Sequence, residues 1–257
     1  MKNLLKDSQK IIHHSIQSVK PDMLIEKKVH LRGNVLNIVQ MEFDLDLYKN
    51  IFVIGAGKAS AVMAQALENI LGERITSGCV SVKYHHTAPC KKIRILESGH
   101  PLVDFNSIKA TETILKIVQD TTTDDLVICL LSGGGSALLE SLPENILLKD
   151  LQSTFDLLLR SGANIVEVNT VRKHLSRVKG GQLARAISPA TCISLILSDV
   201  IGDPLEAIAS GPTAADSTTF LEAWEVVEKY DLMEKLPEPV KAHLDKGKFQ
   251  WGYVSQP

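Results

Sequence analysis

Residues 125–137 have the sequence DLVICLLSGGGSA, an apolar run followed at once by three consecutive glycines between two serines. Strands this apolar are buried on both faces, which is typical of a parallel sheet covered by helices. Three glycines are costly in chain entropy, so a purely structural turn rarely needs all of them. The stretch predicts a buried strand that ends in a nest of backbone N–H donors suited to an anion.

The same order of apolar run, small-residue loop and helix recurs along the chain. Residues 50–54 (NIFVI) lead into Gly55-Ala-Gly57-Lys58 and a helix over about 59–71. We predict an α/β fold with three layers, a mainly parallel, Rossmann-like sheet with helices on both faces. The other predicted strands are 76–82, 92–96 and 193–197, with extended chain and a turn over 28–41; the other predicted helices are 4–19, 104–119, 148–161, 166–186 and a broken one over 218–247.

Length and charge limit the classes of function. The chain has 257 residues with 28 basic and 30 acidic side chains, so its charge gives no case for nucleic acid or an anionic membrane as partner. No stretch approaches the ~18 apolar residues needed to span a bilayer. The four cysteines form no C-x-x-C pair, which fits a reducing cytoplasm better than disulfides or zinc. One domain is the simplest organisation.

Lys58 stands at the start of a helix, where the helix dipole disfavours a cation. A bound phosphate or a developing negative charge explains that position; the alternative is a plain tight turn with a solvated lysine. The spacing is not that of a Walker A motif, which requires G-x-x-x-x-G-K-[ST]. The next predicted strand ends in the sequence VKYH (82–85), without the carboxylate that binds a dinucleotide ribose. A nicotinamide cofactor is therefore disfavoured.

Residues 197–204, LSDVIGDP, place two carboxylates just past a predicted strand end. Asp199 and Asp203 together suit Mg²⁺, which prefers one or two carboxylates plus substrate phosphates. Asp199 is alternatively the base that accepts a hydroxyl proton during phosphoryl transfer. For Asp203 a structural reading is equally good, as the N-cap of a helix with Pro204 at its first position. The turn containing Ser210 and Gly211 is small enough to line the same cleft.

The predicted helix over 166–186, which Gly180-Gly181 break near its end, carries the substrate argument. At helical spacing its apolar side chains share one face and its polar ones the opposite face. Glu167 is the only acid within a turn that could neutralise the basic side chains, and concentrated positive charge suits a carboxylate or phosphate. The alternative is an ordinary solvated basic face. The apolar face has Val168, Val171, Leu175 and Val178, and the polar face has Asn169, Arg172, Lys173, Ser176 and Lys179.

The histidines and serines carry less information. His13-His14 and His85-His86 are adjacent pairs, which on a regular helix or strand cannot both face one metal. His100, between Gly99 and Pro101, is expected to order its own loop; the alternative is a supporting position in the cleft. Ser132 and Ser136 lie outside any G-x-S-x-G elbow, so neither is expected to be an acyl nucleophile.

Taken together, these motifs resemble those of the glycerate 2-kinase family of the MOFRL-containing type, in order and in spacing, from about residue 5 to about residue 247. The segments that carry the resemblance are Gly55-Ala-Gly-Lys58-Ala, Gly99-His-Pro with Asp104, 125–138, Asn169-Thr-Val-Arg172-Lys173-His-Leu-Ser176 with Lys179-Gly-Gly181, 195–204 and Ala209-Ser210-Gly211-Pro212-Thr213.

The resemblance implies ATP- and Mg²⁺-dependent phosphoryl transfer to the 2-hydroxyl of D-glycerate, giving 2-phosphoglycerate, with Lys58 as the catalytic lysine. With the residue patterns above, Lys58 and Asp199 are the expected catalytic residues, and Asp199 and Asp203 the expected metal ligands. The expected substrate- and phosphate-binding residues are Gly55, Gly57, Ser132, Gly133, Gly134, Gly135, Ser136, Asn169, Arg172, Lys173, Lys179, Ser210 and Gly211.

Members of that family continue into a second domain that closes the cleft. We expect residues 1–247 to form the N-terminal α/β domain, 248–257 to be a non-matching tail and the MOFRL domain to be absent. Phosphoryl transfer relies on groups gathered from several elements, so this truncated chain alone is expected to be weakly active or inactive. The alternatives are a hydroxypyruvate or tartronate-semialdehyde reductase and a non-catalytic anion-binding fragment; a homo-oligomer is left open.

Overall fold

The computed structural model describes residues 4–251, and it begins with two helices and a small sheet. The three strands of this sheet pair antiparallel, and the predicted turn is confirmed at Gly33, whose φ is 59°. The third strand was not predicted because its sequence, MEFD, alternates apolar and charged residues over only four positions, too short a run to identify a strand. The elements are α1 (Leu4–Ser18), α2 (Pro21–Lys28), β1 (Val29–Arg32), β2 (Val35–Ile38) and β3 (Met41–Asp44).

Five parallel strands form the central sheet, and helices cover it, so the predicted α/β fold is confirmed. The strand order is β6-β5-β4-β7-β8, with β4 and β7 in the middle. The strands are β4 (Asn50–Ala56), β5 (Ser77–Lys83), β6 (Ile93–Ser98), β7 (Asp125–Ser132) and β8 (Thr191–Leu197). The remaining helices are α3 (Ser60–Leu71), α4 (Phe105–Val118), α5 (Gly135–Leu138), α6 (Leu148–Arg160), α7 (Ile165–His174), α8 (Gln182–Ile187), α9 (Phe220–Lys229) and α10 (Glu238–Trp251).

Every residue of β7 is buried, as the opening stretch predicts. Its side chains alternate between two cores because successive residues of a strand point to opposite faces. Leu126, Ile128 and Leu130 pack with α3 and the small antiparallel sheet. Val127 and Cys129 pack on the other face, with α4 and α8. A third core lies among α6, α7, α9 and α10.

The helix predicted over 166–186 is interrupted, as its two glycines indicate, but the predicted position of the break is wrong, because the first helix ends well before Gly180. Helix α7 ends at His174, and α8 begins at Gln182. Between them Gly180 and Gly181 have φ of 55° and 81°, a left-handed conformation that interrupts a helix. The structural alternative for Asp203 is wrong as well, since no helix begins at Pro204 and the next element is a 3₁₀ turn, Ile208–Ser210.

Helix α10 continues to Trp251, beyond the predicted domain end at 247. The rest of the predicted tail, 252–257, lies outside the described residues. Across residues 4–251, no helix has both the length and the apolar character that crossing a bilayer requires.

Candidate active site at the carboxyl edge of the sheet

The chain leaves the two central strands in opposite directions along the sheet. After β4 it passes to β5 on one side, and after β7 to β8 on the other. In open parallel sheets this reversal opens a crevice outside the carboxyl ends of the two strands, where ligands bind. The Lys58 loop follows β4 and the triple-glycine loop follows β7, so the two most unusual segments of the sequence meet at this crevice.

Direct hydrogen bonds join these two loops. The Lys58 backbone N–H donates to the Gly133 carbonyl at 2.9 Å, and the Ala59 N–H donates to Ser132 Oγ at 3.0 Å. Gly57, with φ of 143°, lies so close to Ser132 that a Cβ atom there would stand 2.1 Å from the Ser132 hydroxyl. Ser132 therefore holds the loops together, and its buried hydroxyl faces the protein rather than the crevice. Gly55 lies within β4, against the backbone of β7.

The Lys58 side chain is half-buried beside the triple-glycine loop. A Cβ atom on Gly134 would lie 3.4 Å from Lys58 Cε and 2.8 Å from His100 Nε2, so lysine, glycine and histidine meet at one point. Within residues 4–251, the Lys58 ammonium makes no hydrogen bond or ion pair. A cation left without a partner beside a nest of N–H groups is suited to hold an anion.

His100 lies beside Lys58 and Gly134, which agrees with the alternative interpretation, a supporting position in the cleft. It follows β6, at the same edge of the sheet. Burial, and then the nearby charge of Lys58, lowers the pKa of His100 below its ordinary value of 6.5. The imidazole is therefore neutral at pH 7. The sequence signal for this position is that His100 lies a few residues after a predicted strand, at its carboxyl end.

The Asp199 carboxylate lies beside Gly133, the first glycine of the loop. Both of its oxygens would be 3.3 Å from a Cβ atom on Gly133, so the glycine lets the carboxylate approach the loop backbone. Asp199 is exposed and makes no hydrogen bond or ion pair with any other residue that the structure describes.

Hard oxygen donors of this kind fit Mg²⁺, which is commonly held by one or two carboxylates, phosphate oxygens and water. Asp203 is also exposed, with φ of 47°. No cluster of three or more His, Cys, Asp or Glu side chains forms a metal site among residues 4–251. The donor set therefore fits a metal held jointly with a phosphorylated ligand rather than one enclosed by protein.

A chain of polar side chains connects the glycine loop to α7. Ser136 Oγ lies 3.0 Å from Ser210 Oγ, and Ser210 Oγ donates to Asn169 Oδ1 at 3.3 Å. Arg172 Nη1 donates to the same Asn169 oxygen at 2.9 Å. The Arg172 guanidinium also lies over the Phe155 ring, 4.8 Å from its centroid. Four of the predicted site residues are thus brought together by side-chain contacts.

Residues 209–211 hold this polar chain in place through an unusual backbone. Ala209, Ser210 and Gly211 have φ of 52°, 63° and 61°, and a non-glycine residue adopts that conformation only at a cost. Ala209 lies directly against Gly135, where a Cβ atom would stand 2.6 Å from the alanine methyl. The Gly180 and Gly181 N–H groups donate to the Ser210 and Gly211 carbonyls at 3.0 and 2.7 Å. Strain of this kind concentrates at functional sites.

The basic residues of the predicted polar face do not stay together. Lys173 Nζ donates to Asp216 Oδ1 at 2.5 Å, and both side chains are buried. Lys179 Nζ donates to Glu140 Oε2 and to the Leu139 carbonyl, each at 2.7 Å.

Both lysines therefore have acidic partners. The sequence did not reveal these partners because they lie far from the lysines along the chain. Burial lowers the pKa of Lys179, and the charge of Glu140 opposes that shift. Arg172 and Asn169 remain beside the glycine loop, whereas Lys173 and Lys179 stabilise the protein interior.

Comparison with known proteins bears on this geometry. The family model described as "Domain of unknown function (DUF4147)" matches residues 7–245. The chain belongs to this family. The DUF4147 domain is 43% identical over 238 residues to the glycerate 2-kinase of Pyrococcus horikoshii, covering 93% of this chain and 53% of that protein.

Two further comparisons give one more protein and one solved structure that are similar to this chain. A putative hydroxypyruvate reductase of Agrobacterium vitis is 49% identical over 195 residues, covering 76% of this chain and 44% of that protein. The crystal structure of a glycerate kinase from Thermotoga maritima superposes with a TM-score of 0.82 at 39% identity, covering 95% of this chain and 55% of that one. The predicted resemblance is confirmed, and the chain spans about half the length of these relatives.

Proposed function

We propose that this chain forms the nucleotide- and substrate-binding half of an ATP- and Mg²⁺-dependent glycerate 2-kinase, which transfers a phosphoryl group to the 2-hydroxyl of D-glycerate. The observation that carries the proposal is the unpaired Lys58 ammonium beside the Gly134 nest, at the crevice between β4 and β7. The names of the relatives that share this domain support the same chemistry.

In the proposed mechanism the chain contributes charge and position, which is most of what phosphoryl transfer requires of a protein. The N–H groups of the glycine loop bind phosphate oxygens, and Lys58 stabilises the negative charge that moves with the transferred group. Mg²⁺, when bound with the nucleotide, neutralises phosphate charge. Asp199 lies beside Gly133 of the same loop, where it either accepts the hydroxyl proton or holds the metal.

Arg172 is proposed to bind the glycerate carboxylate. A guanidinium forms paired hydrogen bonds to a planar carboxylate, and its orientation is fixed here by Asn169 and by the Phe155 ring. The pKa of Arg172 is lowered by burial, with the charge of Glu140 acting in the opposite direction. Ser136 and Ser210 then lie between the phosphate-binding glycine loop and Arg172. Asn169 connects the two serines to Arg172.

The test is ADP release with D-glycerate and ATP, measured for this chain alone and for the chain joined to the remaining half of the P. horikoshii relative. The joined protein is expected to turn over, and Lys58→Ala should lower its kcat about 10²–10³-fold, as loss of one transition-state donor does. Lys149→Ala, an exposed lysine on α6, is the matched control. Undiminished turnover in Lys58→Ala would remove this lysine from the mechanism.

Two alternative activities are distinguished in the same experiment. A hydroxypyruvate reductase would oxidise NADH when hydroxypyruvate is added, whereas the kinase does not. Lys83 at the end of β5 disfavours the reductase, because a cation lies where a dinucleotide ribose requires a carboxylate. A non-catalytic fragment would bind ATP without turnover in both forms of the protein.

A further inference from the structure

His100 is a titratable side chain at the crevice that has no assigned role in the phosphoryl transfer proposed there. Its imidazole lies against the glycine loop, since a Cβ atom on Gly134 would stand 2.7 Å from His100 Cδ2 and 2.8 Å from Nε2. The same point lies 3.4 Å from Lys58 Cε, so the imidazole and the lysine flank one glycine. In the proposed function Lys58 lies at the transferred phosphoryl group, which places His100 next to the group that reacts.

Both ring nitrogens of His100 are available to a ligand. Neither forms a hydrogen bond or an ion pair with any residue among 4–251. The side chain is half-buried, but its two nitrogens keep accessible surface, in contrast to His174 Nε2, which is buried without a partner among the same residues. An accessible imidazole without a protein partner can exchange a proton with a bound molecule.

The surroundings of His100 keep its imidazole neutral at pH 7. Burial is the largest cause that lowers its pKa below 6.5, and the charge of Lys58 is the next. Lys83, the last residue of β5, and His86 act in the same direction. A general base is most effective when its pKa lies near the working pH and it is unprotonated there.

No carboxylate within residues 4–251 forms an ion pair with His100 that would oppose these charges. Asp104, on the same loop, instead accepts hydrogen bonds from the Ser107 N–H at 2.8 Å and from the Tyr84 hydroxyl at 2.6 Å. Asp199 lies at the first glycine of the loop after β7, and its hard oxygen atoms suit Mg²⁺. The crevice thus offers a neutral imidazole for a proton and a carboxylate for a metal.

We propose that His100 accepts the hydroxyl proton of the acceptor substrate, an assignment that rests on the proposed kinase function. As the hydroxyl oxygen forms its bond to the γ-phosphorus, the bond from that phosphorus to the ADP oxygen breaks and the hydroxyl proton passes to His100 Nε2. The imidazolium then releases this proton to water, so atoms and charge balance over one turnover. Lys58 keeps its own proton and stabilises the transferred group, and Asp199 is left to hold the metal.

The pH dependence of turnover tests the assignment in the chain joined to the remaining half of the P. horikoshii relative. With saturating ATP and Mg²⁺, kcat/KM for D-glycerate is expected to fall about ten-fold per pH unit below the pKa of His100, because only the neutral imidazole accepts a proton. His100→Gln keeps a hydrogen-bonding side chain that cannot accept a proton. It should lower kcat about 10²–10⁴-fold and remove this acid limb. His13→Gln, on the exposed helix α1, is the matched control and should change neither.

A charge change outside the site keeps the test decisive if His100→Gln does not fold. NMR of the joined protein with labelled histidine gives the pKa of His100, and the midpoint of the acid limb is expected to coincide with it. Lys83→Met removes a charge that lowers this pKa, so the NMR value and the limb should rise together. Lys149→Met, at an exposed lysine on α6, should move neither.

The outcomes separate this assignment from the proposed function. An acid limb that survives in His100→Gln, or one whose midpoint departs from the pKa of His100, would overturn the assignment alone and indicate Asp199 as the proton acceptor. Absence of turnover in the unsubstituted joined protein would instead overturn the proposed function, and the assignment with it.

Discussion

Lys179 Nζ and Glu140 Oε2 lie 2.7 Å apart, and neither side chain has any exposed surface. The pair connects the turn before α8 to the segment after α5, beneath the glycine loop. The Glu140 backbone N–H is also held, by Thr111 Oγ1 at 2.8 Å. A fully buried ion pair of this kind acts on the fold of the site rather than on the substrate.

Lys179→Met is expected to destabilise the protein by about 3–5 kcal/mol, because it leaves the Glu140 carboxylate buried without a counter-ion. Chemical denaturation followed by circular dichroism measures the change. Lys179→Met with Glu140→Leu should regain most of the stability, and the exposed control Lys149→Met should have no effect. A stable Lys179→Met protein with weakened substrate binding would contradict this prediction and show that Lys179 belongs to the ligand site.

Gly134→Ala and Gly202→Ala separate backbone strain from crowding. The two glycines have similar φ, 88° and 82°, but a Cβ atom on Gly134 meets the His100 ring at 2.7 Å, whereas Gly202 has open space. Both variants carry the left-handed strain, and Gly134→Ala adds overpacking, so it should be less stable by about 1–3 kcal/mol. Thermal or chemical denaturation of the pair measures the difference. Equal stabilities would show that His100 is not packed on Gly134.

Lys58→Met should raise the pKa of His100. The lysine charge is one of the causes that lower this pKa, after burial, so its removal brings the value partly back toward 6.5. Titration of the imidazole resonances by NMR on this chain measures the shift without any assay of activity. Lys149→Met is the control and should leave His100 unchanged. If Lys58→Met leaves it unchanged too, the two side chains are not neighbours.

Stability should fall as the pH drops below about 6.5, partly because of His174. Burial lowers the pKa of His174 relative to its ordinary 6.5, so the unfolded chain binds a proton more readily than the folded chain in that range. Stability therefore rises with pH up to the unfolded value and is lost below it. Urea unfolding measured at a series of pH values gives the slope. His174→Gln should flatten it, and His13→Gln on the exposed helix α1 should not.

The layered fold could be predicted from short-range patterns in the sequence, and the site could be predicted in part. Apolar runs followed by glycines located β4 and β7, and parallel strands necessarily bring their carboxyl ends to one edge. The long-range ion pairs could not be predicted, since Glu140 and Asp216 lie far from their lysine partners in sequence. The polar face was therefore expected to bind a ligand, with a solvated face as the alternative, whereas Lys173 and Lys179 are buried in ion pairs. The break after His174 was missed because its apolar spacing continues past the end of the helix.

The hydrogen bond from the Lys58 N–H to the Gly133 carbonyl continues the pairing of the two middle strands past their ends. This bond ties the backbone of Lys58 to the glycine loop at the end of β7. Because β7 is buried along its whole length, the central sheet supports both loops. His100 and Asp199, in contrast, follow the two edge strands, β6 and β8, outside this hydrogen-bonded central pair.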